Sequence, residues 1–277
     1  MAITAQDVNK LRQMTGMGMM DCKQALTEAE GDFDKAIELL RKKGEKISLK
    51  RADNETKEGF VFINTNDAQT EAAIFGLACE TESVGKTDEF QTLGQRIMAV
   101  AVAEKPTDKE ALLASRLADG RSAQEHITEL TGKIGEKIDI VGYTIVTGEK
   151  VINYLHSTGK IGVLVALKNV NGGDVAEAGR DVAMQIAAMK PVALDKDSVP
   201  ADVVEKEMEI GKELARNEGK PEAMLDKIAA GRLNKFFKEN TLLNQEFIKD
   251  NSKTVAQMLD GVHKGLTVSA FQRVQIG

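Results

Sequence analysis

The chain contains 277 residues, of which 42% are hydrophobic and 29% charged, a composition typical of a folded protein rather than a disordered one. Its formal net charge of −6 and its 4% aromatic content, without tryptophan, argue against a direct nucleic-acid contact, which favours basic surfaces and stacking rings. No apolar run approaches the roughly 18 residues that a membrane helix requires, and no signal pattern opens the sequence, so the expected location is cytoplasmic.

The first fifty residues predict three short amphipathic helices. Thr4 and Asp32 are typical helix-start residues, and Gly16 and Gly31 mark the ends of the first two helices. Residues 1–52 are therefore predicted to form a three-helix domain of the ubiquitin-associated (UBA-like) kind, which presents a surface to partners. The apolar residues repeat at helical spacing in three successive groups: Val8, Leu11 and Met14; Cys22, Ala25, Leu26 and Ala29; and Phe33, Ala36, Ile37 and Leu40.

A basic cluster follows the third predicted helix, at Arg41, Lys42, Lys43, Lys46, Lys50 and Arg51. Two interpretations stand: a contact with an acidic partner or RNA, or a solvated helix end followed by a linker. The second is favoured, because positive side chains suit the C-terminus of a helix.

A strand, a second strand and a helix follow the linker. Residues 59–65 alternate as a strand, and residues 72–79 form a nearly continuous apolar run, as in a strand covered on both faces. Helical spacing returns over residues 87–102 and stops at Pro106.

The same order of elements occurs a second time. Residues 149–156 resemble a strand, and residues 162–167 form another apolar run. The apolar residues of 174–188 repeat at helical spacing, and Pro191 ends this predicted helix. We interpret this repetition as a duplicated ββα unit. Two such units predict a two-layer α+β core.

Further elements lie between and after the two units. Residues 109–130 predict a charged helix, residues 138–146 a strand, and residues 266–276 a final strand. Residues 198–238 predict two long polar helices joined by a turn at residues 217–221. The first of these helices has a coiled-coil seam of Val204, Met208, Gly211 and Ala215.

The predicted fold class is α+β, divided into four units. Residues 1–52 form the UBA-like domain and residues 53–140 the N-terminal half of the core. Residues 141–192 together with 239–277 form the C-terminal half. Residues 193–238 form an antiparallel coiled-coil hairpin, which is expected to protrude because it is narrow and polar.

No group of residues has the spacing of a catalytic, metal or cofactor site. The histidines, His126, His156 and His263, are far apart and are interpreted as structural or contact residues. Cys22 and Cys79 are isolated and are expected to be small buried apolar residues. We therefore expect a binding protein rather than an enzyme, without a metal or cofactor.

One long segment resembles a known family. Residues 15–26, Thr-Gly-Met-Gly-Met-Met-Asp-Cys-Lys-Gln-Ala-Leu, are similar to the N-terminal signature of bacterial elongation factor Ts. That family has a three-helix N-terminal domain, a duplicated core and an antiparallel helical hairpin. Matching motifs extend along nearly the whole chain: Cys79-Glu80-Thr81, Lys133-Ile134-Gly135-Glu136, Ile161-Gly162-Val163-Leu164-Val165, Gly231-Arg232-Leu233, Leu243-Asn244-Gln245 and Ser252-Lys253-Thr254-Val255.

The resemblance implies a guanine-nucleotide exchange factor of translation elongation. Its partner would be elongation factor Tu, bound in the GDP and nucleotide-free states. The factor would destabilise the Mg²⁺ and phosphate contacts of that GTPase, so that GDP leaves and GTP enters. The residues that match partner-facing positions of the family are Leu11, Met19, Met20, Lys23, Ile134, His156 and Ile248. Two alternatives stand: one of the two methionines is buried in the core of the three-helix module, and His156 is a plain loop histidine.

A second set of residues matches the loop with which relatives dislocate Mg²⁺. The family's loop reads Thr-Asp-Phe-Val, and the matching residues here are Thr81, Glu82, Ser83 and Val84. Ser83 replaces an aromatic residue whose burial contributes about 1.5–3 kcal/mol. Either Val84 or Phe90 takes over as the wedge, or other contacts carry more of the exchange. A plain strand-to-helix turn is the alternative interpretation.

A rival function of another class is an adaptor associated with the ribosome or a chaperone. It would use the three-helix domain and the hairpin as docking elements. The duplicated core favours the exchange factor, because a simple adaptor would not require it.

Overall fold

The computed structural model describes residues 3–277, which begin with three packed helices. These helices are α1 (Ala5–Thr15), α2 (Met19–Glu28) and α3 (Phe33–Lys50). Thr4 caps α1 in a reciprocal capping box with Asp7, and Asp32 caps α3. The predicted helices are therefore present, and their apolar faces meet in one buried cluster that includes Val8, Leu11, Cys22, Leu26 and Leu40.

The third helix is longer than its apolar pattern predicted. It continues to Lys50, so the basic residues from Arg41 onward lie on the helix and its C-cap, Arg51, and not on a linker. One of them, Lys43, pairs with Asp21 of α2 at 2.6 Å. Long unbranched side chains favour the helical conformation, and positive charge is stabilising near a helix C-terminus.

Strands and helices follow one another through the rest of the chain. In chain order they are β1 (Glu58–Thr65), β2 (Glu71–Cys79), α4 (Glu82–Gly85), α5 (Asp88–Glu104), α6 (Lys109–Ala114), α7 (Ala123–Ile134), β3 (Ile138–Thr147), β4 (Lys150–Leu155), β5 (Ile161–Lys168), α8 (Ala176–Met189), α9 (Ala201–Asn217), α10 (Leu225–Asn240), β6 (Glu246–Phe247), β7 (Asp250–Thr254), α11 (Val255–Val262) and β8 (Thr267–Gln275). Within the described part of the chain, no helix is long and apolar enough to cross a membrane.

Two three-stranded antiparallel sheets form the body. The strand order is β1-β2-β3 in the first sheet and β4-β5-β8 in the second. Phe62 lies opposite Phe75 in the first sheet, and Ile152 lies opposite Val165 in the second. The central strands β2 and β5 are almost wholly buried, as their continuous apolar runs predicted.

The helices that cover the two sheets repeat one another. Gly94 of α5 lies against β1, and Gly179 of α8 lies against β4; an added Cβ would meet side-chain carbons of those strands at 2.1 Å and 2.5 Å. Both helices end on a lysine in the left-handed conformation, Lys105 with φ 50° and Lys190 with φ 49°. The two ββα units therefore share helix packing as well as element order.

The two units stack through their sheets, which gives the core four layers and not the two expected. A cluster between the sheets includes Val61, Ile74, Val146, Leu164 and Val274. A cluster between the first sheet and its helices includes Phe75, Phe90 and Ile127. A cluster between the second sheet and its helices includes Val165, Ile186 and Leu259. Each sheet is apolar on both faces. Helices cover one face of each sheet, and the other face packs against the other sheet.

The region between the units departs from the prediction of one helix over residues 109–130. The structure has two helices there, α6 and α7, separated by a turn in which Gly120 has φ 81°. Ser122 then starts α7 through a capping box with Glu125. Asp119-Gly120 is a turn signal, and it outweighs the helical pattern of the charged residues around it.

α9 and α10 pack side by side as antiparallel helices. Gly211 lies so close to Ala229 that an added Cβ would come within 3.0 Å of the Ala229 Cα. Ala215 and Leu225 are buried beside this contact. The small seam residues thus allow a close approach of the two backbones. Ion pairs join the exposed sides: Lys212 with Asp226, Arg216 with Glu222 and Arg232 with Glu218.

Candidate partner-binding site

The first turn of α2 exposes predicted contact residues. Met20 is 75% exposed and Met19 is 41% exposed. Lys23, one turn further along the helix, is also exposed. Flexible, polarizable methionine side chains suit a contact in which a helix enters an apolar groove.

The structure corrects the expectation for Leu11. Its side chain is 0% exposed and fills the core of the three-helix module. A direct contact between Leu11 and a partner is therefore excluded in this conformation. Leu11 supports the surface from below, because it packs with the buried residues of α2.

The module is held against α7. Gly44 of α3 meets Gly132 of α7 so closely that a Cβ on Gly132 would lie 2.4 Å from the Gly44 Cα. The Lys133 side chain lies over Gly16 and pairs with Glu89 at the start of α5. The α1–α2 junction, where the exposed methionines begin, therefore lies beside the end of α7.

The segment after β2, formed by Thr81 and the one-turn helix α4 and called the Thr81 turn below, presents Thr81, Glu82 and Ser83 to solvent. Val84 is 8% exposed and Phe90 is 0% exposed, and both pack in the cluster beneath the first sheet. The hypothesis that Val84 or Phe90 replaces the missing wedge is therefore wrong for this conformation. Ser83 is exposed, at the position where the resemblance implies a phenylalanine.

Three hydrogen bonds hold Thr81 in this turn. Its backbone N–H donates to Glu136 Oε2 over 3.0 Å, and its hydroxyl donates to Glu136 Oε1 over 2.7 Å. Its carbonyl oxygen accepts from the Cys79 thiol over 3.2 Å. Burial, reinforced by the nearby Glu136 carboxylate, raises the pKa of Cys79 to about 12. The thiol therefore keeps its proton at neutral pH and remains a donor.

Glu80, immediately before the turn, joins three segments. Its carboxylate accepts two hydrogen bonds from Arg51 Nη1 at 2.9 Å, one from Asn54 Nδ2 at 3.0 Å and one from the Lys137 N–H at 2.6 Å. Burial alone would raise the pKa of Glu80, but these hydrogen bonds hold it below its ordinary value. The end of α3, the start of β3 and the turn meet at this carboxylate.

His156 lies just beyond β4, at the same edge of the body as the turn. Its Nδ1 is 2.9 Å from the Tyr154 hydroxyl oxygen, so the ring is oriented by a hydrogen bond. The following loop contacts the first sheet, where Lys160 Nζ lies 2.5 Å from Glu58 Oε2. Glu58 lies opposite Cys79 across β1 and β2. The His156 loop and the Thr81 turn are therefore neighbours.

Ile248 belongs to a different part of the fold. It is 47% exposed between β6 and β7. Its backbone N–H donates to Gln185 Oε1 of α8 over 2.9 Å, and the adjacent Lys249 Nζ lies 2.6 Å from Asp181 Oδ1. The structure thus attaches Ile248 to the outer helix of the second unit.

Three residues of the site received no role from the sequence. Glu80, Lys133 and Glu136 all lie in motifs that match the family, and those motifs were the available signal. Their roles could not be predicted, because the residues that they contact lie far away in the sequence. Ile134, which was predicted, is partly buried beside two of them at the end of α7.

The buried histidine lies in a structural network. His126 is 8% exposed, and its Nε2 lies 3.0 Å from Asp119 Oδ1. Arg96 Nη2 lies 3.2 Å from the other oxygen of Asp119. Among residues 3–277, no three His, Cys, Asp or Glu side chains come together as a metal site requires.

These features define a class: an α+β protein whose candidate site is an extended surface for another macromolecule. A model of the family described as Elongation factor TS matches residues 80–277. An Elongation factor Ts of Cytophaga hutchinsonii is 64% identical over 99% of both chains, and one of Amoebophilus asiaticus is 56% identical over 100% of both. One of Thermobifida fusca is 46% identical over 99% of this chain and 98% of its own. The chain belongs to the elongation factor Ts family.

Proposed function

We propose that this chain is the guanine-nucleotide exchange factor of elongation factor Tu and acts in the cytoplasm. It binds the GDP-bound and nucleotide-free GTPase, destabilises the Mg²⁺ and phosphate contacts, and promotes exchange of GDP for GTP. One observation carries the proposal: the α1–α2 junction, the end of α7, the Thr81 turn and the His156 loop each lie beside the next. An exchange factor has to hold its partner and disturb the nucleotide site at the same time. Nucleic acid and membrane take no direct part.

The proposed mechanism is a linkage between two binding equilibria. The factor binds the nucleotide-free GTPase more tightly than the GDP form, so it expels GDP, and incoming nucleotide expels the factor in turn. A coupling of about 4 kcal/mol corresponds to roughly a thousandfold change in affinity. The chain performs no covalent chemistry in this scheme, which is why it needs neither a catalytic residue nor a cofactor.

The units divide this work in the proposal. The UBA-like domain, residues 1–52, holds the GTPase through Met19, Met20 and Lys23. Residues 53–140 carry the turn that acts on the Mg²⁺ site, together with Ile134. The second half of the core, residues 141–192 and 239–277, adds contacts at His156 and Ile248. The hairpin, residues 193–238, protrudes from this body.

The turn acts without an aromatic wedge in this proposal. Thr81, Glu82, Ser83 and Val84 still form the Mg²⁺-dislocating element, but Val84 anchors it from inside while the other three face the partner. The bound surface around the turn therefore supplies more of the coupling than in relatives with phenylalanine. A negative side chain at Glu82, placed near the Mg²⁺ ligands of the partner, adds an electrostatic disturbance.

The proposal is tested by release of a fluorescent GDP analogue from purified elongation factor Tu, chased with unlabelled GDP. A catalytic amount of the chain is expected to speed release by two orders of magnitude or more, because each factor molecule is expelled and reused. An unchanged release rate would show that the chain is not an exchange factor and would leave the adaptor as the better hypothesis.

Two methionine variants provide a matched control in the same assay. Met20→Ala removes a 75% exposed side chain from the proposed surface, whereas Met224→Ala removes a 47% exposed one near the start of α10. Met20→Ala is expected to raise the half-saturating concentration about fivefold or more, since it loses apolar burial of about 1–3 kcal/mol. Met224→Ala is expected to match the unmodified chain.

A further inference from the structure

The turn at residues 81–83 faces solvent, yet a carboxylate from another segment holds it in place. Exposed turns usually leave their polar groups to water and are mobile for that reason. Here both oxygens of Glu136 accept hydrogen bonds from Thr81, one from the backbone N–H and one from the hydroxyl. A bidentate acceptor fixes the orientation of the turn as well as its position.

We propose that Glu136 is a positioning residue for nucleotide exchange: its carboxylate holds the turn in the orientation in which Glu82 and Ser83 enter the GTPase. This inference rests on the proposed function. It assigns a role to a residue that itself has no need to touch the nucleotide site.

Local structure aims Glu136 at the turn. α7 ends at Gly135, which has φ 81°, a left-handed conformation that suits glycine and reverses the chain direction. The chain then enters β3, which pairs with β2 so that Ile138 lies opposite Cys79. This pairing places the residues just before β3 beside those just after β2. The contact between Glu136 and Thr81 is thus a product of sheet register.

A substitution of Glu136 tests the positioning of the turn with less effect on overall stability than a substitution of Glu80 would have. Glu80 also holds Arg51, Asn54 and the Lys137 N–H, so its loss would loosen the junction with the three-helix module. In the described part of the chain, the hydrogen bonds of the Glu136 side chain all go to Thr81. Removing this carboxylate therefore changes the turn and leaves the module's attachment intact.

The expected effect lies in the rate of exchange rather than in affinity. The turn has no phenylalanine to anchor it in the partner. Its orientation is therefore set before binding by Glu136, because otherwise the turn would have to be ordered during exchange, which costs free energy. Within residues 3–277 the Glu136 side chain makes its hydrogen bonds to Thr81 and none to α2, so the exposed methionines of α2 continue to hold the GTPase. Loss of the carboxylate should therefore lower the maximal rate at an unchanged half-saturating concentration.

The test measures fluorescent GDP release from elongation factor Tu over a range of factor concentrations. Glu136→Ala is expected to lower the maximal release rate about tenfold, with the half-saturating concentration within about twofold of the unmodified chain. Glu136→Gln keeps one acceptor oxygen and is expected to recover part of the rate. Glu71→Ala is the matched control, because Glu71 pairs with Lys105 at 2.7 Å at the opposite end of β2. Its rate should be unchanged.

Amide hydrogen exchange of residues 81–86, measured on the factor alone, reports the turn independently of the GTPase. Faster exchange in Glu136→Ala, together with the lower maximal rate, supports the inference. A normal maximal rate in Glu136→Ala, or an equal loss in Glu71→Ala, overturns it while leaving the proposed function intact. If the unmodified chain does not speed GDP release from elongation factor Tu, the proposed function itself is wrong, whatever the amide hydrogen exchange of the turn shows.

Discussion

Asp119 lies between His126 and Arg96, in the loop that separates α6 from α7. The hydrogen bond from His126, with others from the Arg121 N–H and from Arg96, holds the pKa of Asp119 well below its usual range. The carboxylate is therefore charged in the folded protein at every ordinary pH. It ties a turn that the helical pattern did not predict to the buried face of α7.

The depressed pKa of Asp119 predicts how one substitution responds to acid. An aspartate whose pKa is lower in the folded state stabilises fully above its unfolded pKa of about 3.9, and this stabilisation is lost as the pH falls through the folded pKa. Asp119→Asn should therefore be less stable than the unmodified chain at pH 7, and the difference should shrink below about pH 4. Urea unfolding at several pH values measures this. A difference that stays constant down to pH 2 would contradict it.

Ser83 gives a second prediction at the scale of one residue. Because its side chain is exposed, a phenylalanine fits there without disturbing the core. Ser83→Phe should restore an apolar wedge of about 1.5–3 kcal/mol and speed GDP release from elongation factor Tu about tenfold or more. Ser83→Ala, which adds no ring, should leave the rate unchanged. Equal rates for the two variants would show that this position does not enter the partner.

At the scale of elements, the contact between α3 and α7 joins the three-helix module to the core. Two glycines meet there, but they are not equivalent. A Cβ on Gly132 would lie 2.4 Å from the Gly44 Cα, whereas a Cβ on Gly44 would have its nearest neighbour at 3.5 Å. The two helices therefore approach each other most closely at Gly132, which has no side chain to keep them apart.

This asymmetry predicts opposite outcomes for substitutions of the same kind. Gly132→Ala should destabilise the protein by about 1–3 kcal/mol, because backbone has to move to accept the methyl group. Gly44→Ala should be tolerated. Gly231→Ala in α10, where nothing lies within 4 Å of the added carbon, should stabilise by about 0.5–1 kcal/mol through helix propensity. Urea unfolding compares the three; a Gly132→Ala variant as stable as Gly231→Ala would refute the close crossing.

The elements themselves were largely predictable from local pattern. The strands at residues 59–65, 72–79 and 162–167 and the helices at 87–102 and 174–188 are present within one or two residues of their expected ends. The short segment β6–β7 and the helix α11 were missed. They contain two to eight residues each, too few for an apolar period to emerge, and β6 and β7 exist because they pair with each other.

At the scale of the whole molecule, the stacking of the two sheets decides where the candidate site lies. Gly162 of β5 permits this contact, since a Cβ there would come within 2.5 Å of Val61 on the facing sheet. The same stacking places the His156 loop against the start of β1 and so beside the Thr81 turn. A surface assembled from both units and the three-helix module thus depends on packing that no single segment encodes.

The sequence by itself determined the family, the fold class, and most helices and strands, because these follow from motifs and from periods of a few residues. Only the tertiary structure decided that the core has four layers, that Leu11 is buried, and that Val84 and Phe90 are withdrawn from the surface. It alone joined Glu136 to Thr81, 55 residues apart in the chain. The physical reason is that burial and long-range hydrogen bonds depend on which faces of the helices and strands pack together. Strand register and helix crossing determine this packing, and local sequence patterns do not encode them.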